Sequence, residues 1–437
     1  MLDYFTHGIM TPILLLALIT VGGMFWIRLR FFPILKIKDI LRSLFDRRSS
    51  SASWRALSVA LAGTLGVGNI VGIAYAIKAG GAGSIFWMWV SSLFAMILKY
   101  SETVLAMLHR RQHPATHLKQ PSIITETVGG PMYYITNRPF SILFALLCVA
   151  SSFTVGNLIG TSAATAALTT IFPIPAFFIG ILFCLLTLAI TFRGISIITK
   201  FCSAAIPFFS LVYLLMCGAV LLHNRTVLPS LLLRIVSEAF SVKAIGTGLT
   251  GSVFFHALRE GFTKGLITNE AGCGTAPIAH ASSDSNRIVP QGFLGIIEVF
   301  FDTVILCTAS ALVILPAFDR DPTLDGYALV SSAFSCVFGK LTDYLLAVLI
   351  FFFVLATLVG WSYYGRTALS YLTKRKRILS VYLIVFAFVA FWGAIGVPSI
   401  LWTLADLTLG LMTLINVRYL FHLRGEIINE TNRFFNS

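Results

Sequence analysis

Charge is what this sequence has least of. Of its 437 residues only 11% are Asp, Glu, Lys or Arg, against about a quarter in an ordinary soluble domain. Hydrophobic residues make up 57%, and mean hydropathy is +0.87. Long polar connections are also missing. None exceeds about 35 residues, which leaves no room for a soluble domain. No HExxH, GxSxG or zinc-ligand spacing occurs, which argues against an enzyme, and no repeated filter motif or charged ring suggests a channel. The seven cysteines (148, 184, 202, 217, 273, 307 and 336) show no CxxC or Cys/His spacing and fall in or beside apolar runs, so they read as membrane-packing residues. Acidic residues are outnumbered by basic ones, 18 to 32. The excess lies in short loops between apolar runs, where it sets topology and is not read as nucleic-acid binding.

What is present is a series of apolar runs, each near the 20 residues that cross a bilayer. Eleven are expected: 9–27, 56–79, 84–108, 139–171, 174–192, 199–222, 237–258, 291–317, 341–371, 378–396 and 399–422. The fold class is therefore all-α and polytopic, embedded in a lipid bilayer. Asp3 and His7 precede the first run and its basic residues follow it, the reverse of a signal peptide, so it is read as a helix of the mature protein. Arg28, Arg30, Lys36, Lys38, Arg42, Arg47, Arg48 and Arg55 place the first loop in the cytoplasm, and alternation brings Arg110, Arg111, Lys374 to Arg377 and Arg424 to the same side. Asp319, Asp321 and Asp325 then face outside, as does the N-terminus, while the C-terminus is cytoplasmic. Arg225 and Arg234 on the outer side are exceptions. Setting aside 1–55 leaves five runs in 56–222 and five in 237–423, with a tail at 424–437. Five is odd, so the second set enters the membrane inverted, as in an inverted repeat.

The stretch Gly63 to Gly81 lies inside the second run yet holds Gly63, Gly66, Gly68 and Gly72, with Thr64 and Asn69 as polar groups. Each interior glycine costs roughly 1 kcal/mol against alanine, so the helix is expected to break here. A break frees backbone groups that must be satisfied by protein, water or a ligand, and transporters use it to bind substrates and cations. Close helix packing is the competing reading of the same glycines. The second five-run set opens on GTGLTGSVFF, Gly246 to Phe255, with Gly246, Gly248 and Gly251 in the corresponding place.

Acids at membrane depth are functional candidates by default: Glu102, Glu298, Asp302 and Asp406. Glu298 and Asp302 stand four apart, which two like charges disfavour unless a cation, proton or arginine is near. Glu102 reads as an interfacial acid paired with Lys99 or Arg259. Arg259 to Ser283, with Asn269, Glu270 and His280, reads as a structured stretch at the cytoplasmic mouth, where Glu270 and His280 form a proton relay, a structural pair or no pair at all. Thr357 offers a hydroxyl to a cation or bonds back to its own helix, and Trp361 caps a pocket or packs.

Several blocks carry a family likeness: GVGNIVGIAYAIKAGGAGSIFWMW, GGPMYYI at Gly129 to Ile135, KGLITNEAGCGTAPIAHA at Lys264 to Ala281, QGFLGIIEVFFDTVILCTASALVI at Gln291 to Ile314, and GWSYYG at Gly360 to Gly365. In them the chain resembles the alanine or glycine:cation symporter family over most of residues 55–420. The resemblance implies eleven helices, the last ten in a leucine-transporter-like five-plus-five inverted repeat, and sodium-coupled uptake of a small neutral amino acid across the plasma membrane (bacterial inner membrane). It implies substrate between the broken second and seventh spans and sodium between the second and ninth. The chain departs from the family pattern at Val67, Ala356, Gly160, Ser162, Arg366, Leu409 and Ile415, where the family usually carries other, mostly polar, groups.

The expected site therefore comprises Thr64, Gly66, Val67, Gly68, Asn69, Gly246, Gly248, Gly251 and Trp361 for substrate, with backbone N–H groups at 66, 68 and 69 taking its carboxylate. Gly63, Gly66 and Thr357 are expected to hold the sodium coupling ion, no other cofactor being expected. Asn269, Glu270, Glu298 and Asp302 are further candidates. A substrate-binding but transport-impaired receptor, and a carrier with proton coupling or no sodium coupling, are the alternatives.

Overall fold

A computed structural model describes residues 4–45, 51–114, 125–241, 253–283 and 285–436. The described chain is helical apart from one antiparallel ladder, β1 (Arg111–Pro114) with β2 (Thr125–Val128). Apart from the short Phe32–Leu35, Ile37–Phe45 and Pro131–Tyr134, the α-helices are α1 (Thr11–Arg28), α2 (Ser51–Thr64), α3 (Val71–Gly80), α4 (Gly83–Leu108), α5 (Arg138–Ile171), α6 (Ala176–Thr191), α7 (Ile195–His223), α8 (Leu228–Ala239), α9 (Val253–Asn269), α10 (Ala276–Ala281), α11 (Ile288–Arg320), α12 (Gly326–Phe338), α13 (Leu341–Leu372), α14 (Lys376–Ile395), α15 (Ser399–His422) and α16 (Arg424–Asn436). Eight of these segments are long and apolar enough to cross a membrane. The fifth crossing is the shorter apolar α6, and the second and seventh are each in two pieces, giving eleven.

Polarity is distributed inside out. Phe177, Phe178, Leu211, Leu215 and Leu222 are exposed, whereas Lys99, Glu102, Glu298 and Asp302 are buried. In water that arrangement would be ruinous; in lipid it is the arrangement that satisfies both solvent and core.

The second crossing is α2 and α3, interrupted at residues 65–70, where the glycines lead one to expect it. The seventh differs from the expected 237–258. Its first half is α9 and its second α10, separated by Glu270 to Thr275, so the segment read as a cytoplasmic structured stretch is itself the crossing. Helix α8 is a separate element, and Gly246, Gly248 and Gly251 lie outside the described residues. The direction of α9 follows from its contacts. His256 and Glu260 border Gly80, a Cβ on Gly261 would strike the backbone of Ser84 and Met88, and one on Gly265 would strike Ser91, so α9 runs parallel to α4. Past the break, the Ser283 hydroxyl meets that of Ser53 at 3.3 Å, and its carbonyl accepts from Arg110 at 2.7 Å. The two broken crossings thus run antiparallel, as an inverted repeat requires.

The end carrying Asp319 and Asp325 is tied by ion pairs. Arg234 donates to Asp319 and Glu238, both at 2.6 Å, and Lys78 meets Asp325 at 3.1 Å. Partial burial draws the Arg234 guanidinium down, but its bonds to Asp319 and Glu238 outweigh this and hold its pKa above the ordinary value. The topological exception at Arg234 is therefore a paired charge.

Candidate functional site

The break in the second crossing is built by Asn69. Gly66 is extended, and its N–H donates to Asn69 Oδ1 at 3.0 Å while the Asn69 N–H returns to the Gly66 carbonyl at 3.3 Å. Two of the three N–H groups expected to take a carboxylate are thus already engaged in holding the turn. Gly66 and Val67 are half-buried, Gly68 is exposed, and a Cβ on Gly68 would meet no atom within 4 Å, so the turn borders open space. Thr64 is buried, its hydroxyl directed back to Ala60 and Leu61.

Helix α13 closes against this break. The Thr357 hydroxyl lies 3.0 Å from the Phe353 carbonyl and 3.3 Å from that of Leu65, and can donate to one at a time. Trp361 donates its indole N–H to the Gly63 carbonyl at 3.3 Å, and Tyr364 its hydroxyl to Val59 at 3.2 Å. Gly63 is needed for this approach, since a Cβ there would sit 2.6 Å from the Tyr364 oxygen.

The second break is held by polar groups of α9, α11 and α15. Asn269 donates to Gly265 at 2.6 Å and to Thr303 Oγ1 at 3.1 Å, while its own oxygen accepts from the Ala271 N–H at 3.0 Å. Glu270 has a left-handed backbone, φ 52°, sparsely populated for a non-glycine residue, and its carboxylate accepts from Thr275 at 2.7 Å. Asn416 on α15 donates to the Gly272 carbonyl at 2.8 Å.

Asp302 joins the two breaks. Its Oδ1 accepts from Asn69 Nδ2 at 2.7 Å and its Oδ2 from Thr303 at 2.9 Å, and Thr303 in turn touches Asn269. Phe300–Cys307 is a π-helical stretch, a distortion often found at functional sites, and it starts between Glu298 and Asp302. The two acids therefore take different partners. Glu298 meets Lys99 at 3.3 Å and His280 at 3.1 Å, whereas Asp302 turns to Asn69. Of the alternatives for Glu270 and His280 the structure has the one without a pair: His280 bonds Glu298 and Gln291 while Glu270 bonds Thr275. It corrects Glu102, which is fully buried, not interfacial; Lys99 bridges Glu298 instead, and Arg259 is exposed on α9.

Among the positions that depart from the family pattern, Ala356, Leu409 and Ile415 are buried apolar residues, and Gly160 lies where a Cβ would meet only Val354, at 3.6 Å. Asn416 and Gln291 were missed. The signal for Asn416 was a lone amide within an apolar run.

The sodium:alanine symporter family model matches residues 1–437. The chain belongs to that family. Among its curated relatives, the sodium/alanine symporter AgcS of Methanococcus maripaludis is 31% identical over 441 residues, covering 97% of this chain and 94% of that protein. The probable sodium/glutamine symporter GlnT of Bacillus subtilis is 31% identical over 423 residues, covering 94% and 85%. The chain also shares its fold with a solved sodium-coupled sialic acid symporter in a substrate-bound outward-open state, at TM-score 0.59 and 11% identity, covering 95% of this chain and 86% of that one. The chain is therefore a multi-pass membrane transporter, as the family blocks led one to expect.

Proposed function

We propose that this transporter moves a small neutral amino acid, alanine or glycine, into the cell together with sodium by alternating access. The observation that carries this reading is the junction of the first break with α13, where unwound backbone, a hydroxyl and an indole meet beside open space at Gly68. The Leu65 and Gly66 carbonyls and the Thr357 hydroxyl supply hard oxygens of the kind an alkali cation takes. Gly66, Val67 and Gly68 border the space for the zwitterion, with Thr64 and Asn69 shaping the turn behind them. Val67 is a small apolar wall, and one methylene there changes discrimination by about 1–3 kcal/mol. The alanine in one relative's name and the glutamine in another's mark the range of side chains to be tested.

The orientation proposed is the one the basic residues give, with the Arg110 end cytoplasmic and the Asp319 end outside. The Ser53–Ser283 and Arg110–Ser283 contacts close the former end, while Gly68 remains exposed.

The test is uptake of labelled alanine, glycine and glutamine into proteoliposomes with and without an inward sodium gradient. Sodium-driven accumulation of alanine or glycine above glutamine is expected. Accumulation of none removes the substrate reading, and equal accumulation without sodium removes the coupling alone.

A further inference from the structure

Glu102 is fully buried on α4, six residues before that helix ends, and both of its carboxylate oxygens lie without a hydrogen bond. It faces the second break, where the backbone amides of Gly272 and Gly274 act on it without an aligned bond. Those two residues are locked by geometry, with φ 84° and 79°, and a Cβ on Gly272 would lie 2.5 Å from Leu18. The groups facing Glu102 are Lys99 on its own helix, Glu298 on α11, Cys273 in the break, and Tyr134 in the helical turn Pro131–Tyr134. Lys99 is the one cation among them, and it pairs with Glu298 at 3.3 Å. The Tyr134 hydroxyl is likewise engaged, with Asn416. An unpaired carboxylate in a protein interior is costly, and taking up a proton is the general way out of that cost.

We propose that Glu102 is a proton-binding site whose proton is taken up or released as the backbone between α9 and α10 moves against α4. With the break folded as here, the Gly272 and Gly274 amides lend partial positive charge to the carboxylate. When the break repacks, that support leaves and the neutral acid is favoured. The proton passes to and from water, with no other bond made or broken. Six residues of helix, about 9 Å, separate Glu102 from the end of α4. The inference rests on alternating access as proposed above.

Two measurements on the full chain test it. Infrared difference spectra with and without sodium should show the carbonyl stretch of a buried carboxylic acid that titrates with pH, disappears in Glu102→Gln and moves in Glu102→Asp. In proteoliposomes, sodium affinity should change by up to about tenfold per pH unit over the same range in the wild type and be flat in Glu102→Gln. A band unchanged by Glu102→Gln, or the absence of any such band, overturns the proposal whatever the transport result. If Glu102→Gln does not fold, Glu102→Asp carries the test, and an unmoved band and pH profile overturn the proposal. Loss of amino-acid uptake with the titrating band intact would instead remove the substrate reading.

Discussion

Thr357 is the residue on which the sodium reading turns, because it is the side-chain oxygen that α13 presents to the first break. Ala356 beside it is buried and carries no hydroxyl to share the task. Replacing Thr357 by Val keeps the shape and removes the oxygen, whereas Ser keeps the oxygen. A lost polar contact of this kind is worth about 1–3 kcal/mol, so half-saturating sodium should rise by about five- to 150-fold in Thr357→Val and recover in Thr357→Ser. Sodium titration of uptake measures both, and an unchanged value in Thr357→Val would move the ion elsewhere. This residue could be singled out from the sequence because it lies just before GWSYYG, one of the blocks that carry the family likeness. The direction of Glu102 could not, because its burial depends on how a distant backbone folds over it.

At the scale of elements, the first break was legible and the one at Glu270 to Thr275 was not, for one physical reason. Glycines inside an apolar run announce a weak helix, and those at 63–72 did so. The same cue pointed to Gly246–Gly251, which lie outside the described residues, whereas α9 carries Arg259, Glu260 and Lys264 and so reads as a loop. What makes it a crossing is the side that Gly261 and Gly265 press against α4, a tertiary contact with no signature in hydropathy. The two breaks are joined through Asp302, which gives that acid a positioning role. Asp302→Asn retains groups able to bond both Asn69 and Thr303, while Asp302→Leu removes them and leaves buried amide and hydroxyl groups unmatched. Uptake should survive in Asp302→Asn with weakened sodium dependence and be lost in Asp302→Leu, with a fall in thermal stability of about 1–3 kcal/mol. Equal behaviour of the two variants, read from uptake and melting together, would remove the link.

For the whole molecule, the crossing count and the membrane setting followed from composition, and the alternation of charge gave the proposed sidedness. Single cysteines on a background without accessible thiols check it. A membrane-impermeant maleimide added to intact cells should label position 225 and spare position 375. The reverse pattern would invert the molecule. The charge clamp of Arg234 with Asp319 and Glu238 belongs to this scale too, since it fastens α8 to the end of α11. Exposed pairs of this kind contribute at most about 1 kcal/mol, so its loss should be felt in local order and little in melting.

The glycine faces of α9 lie so near α4 that even a methyl group would collide, with main-chain atoms at Gly261 and with the Ser91 hydroxyl at Gly265. Sliding one rod past the other would cost that clearance at once, so neither can travel alone. Spectroscopic rulers placed on these two rods should keep one spacing through the entire transport cycle, while the distance from either to α13 lengthens and shortens. Under the alternating access proposed above, α4 and α9 would move as one slab, hinged at the unwound backbone and stiffened by the absence of side chains between them.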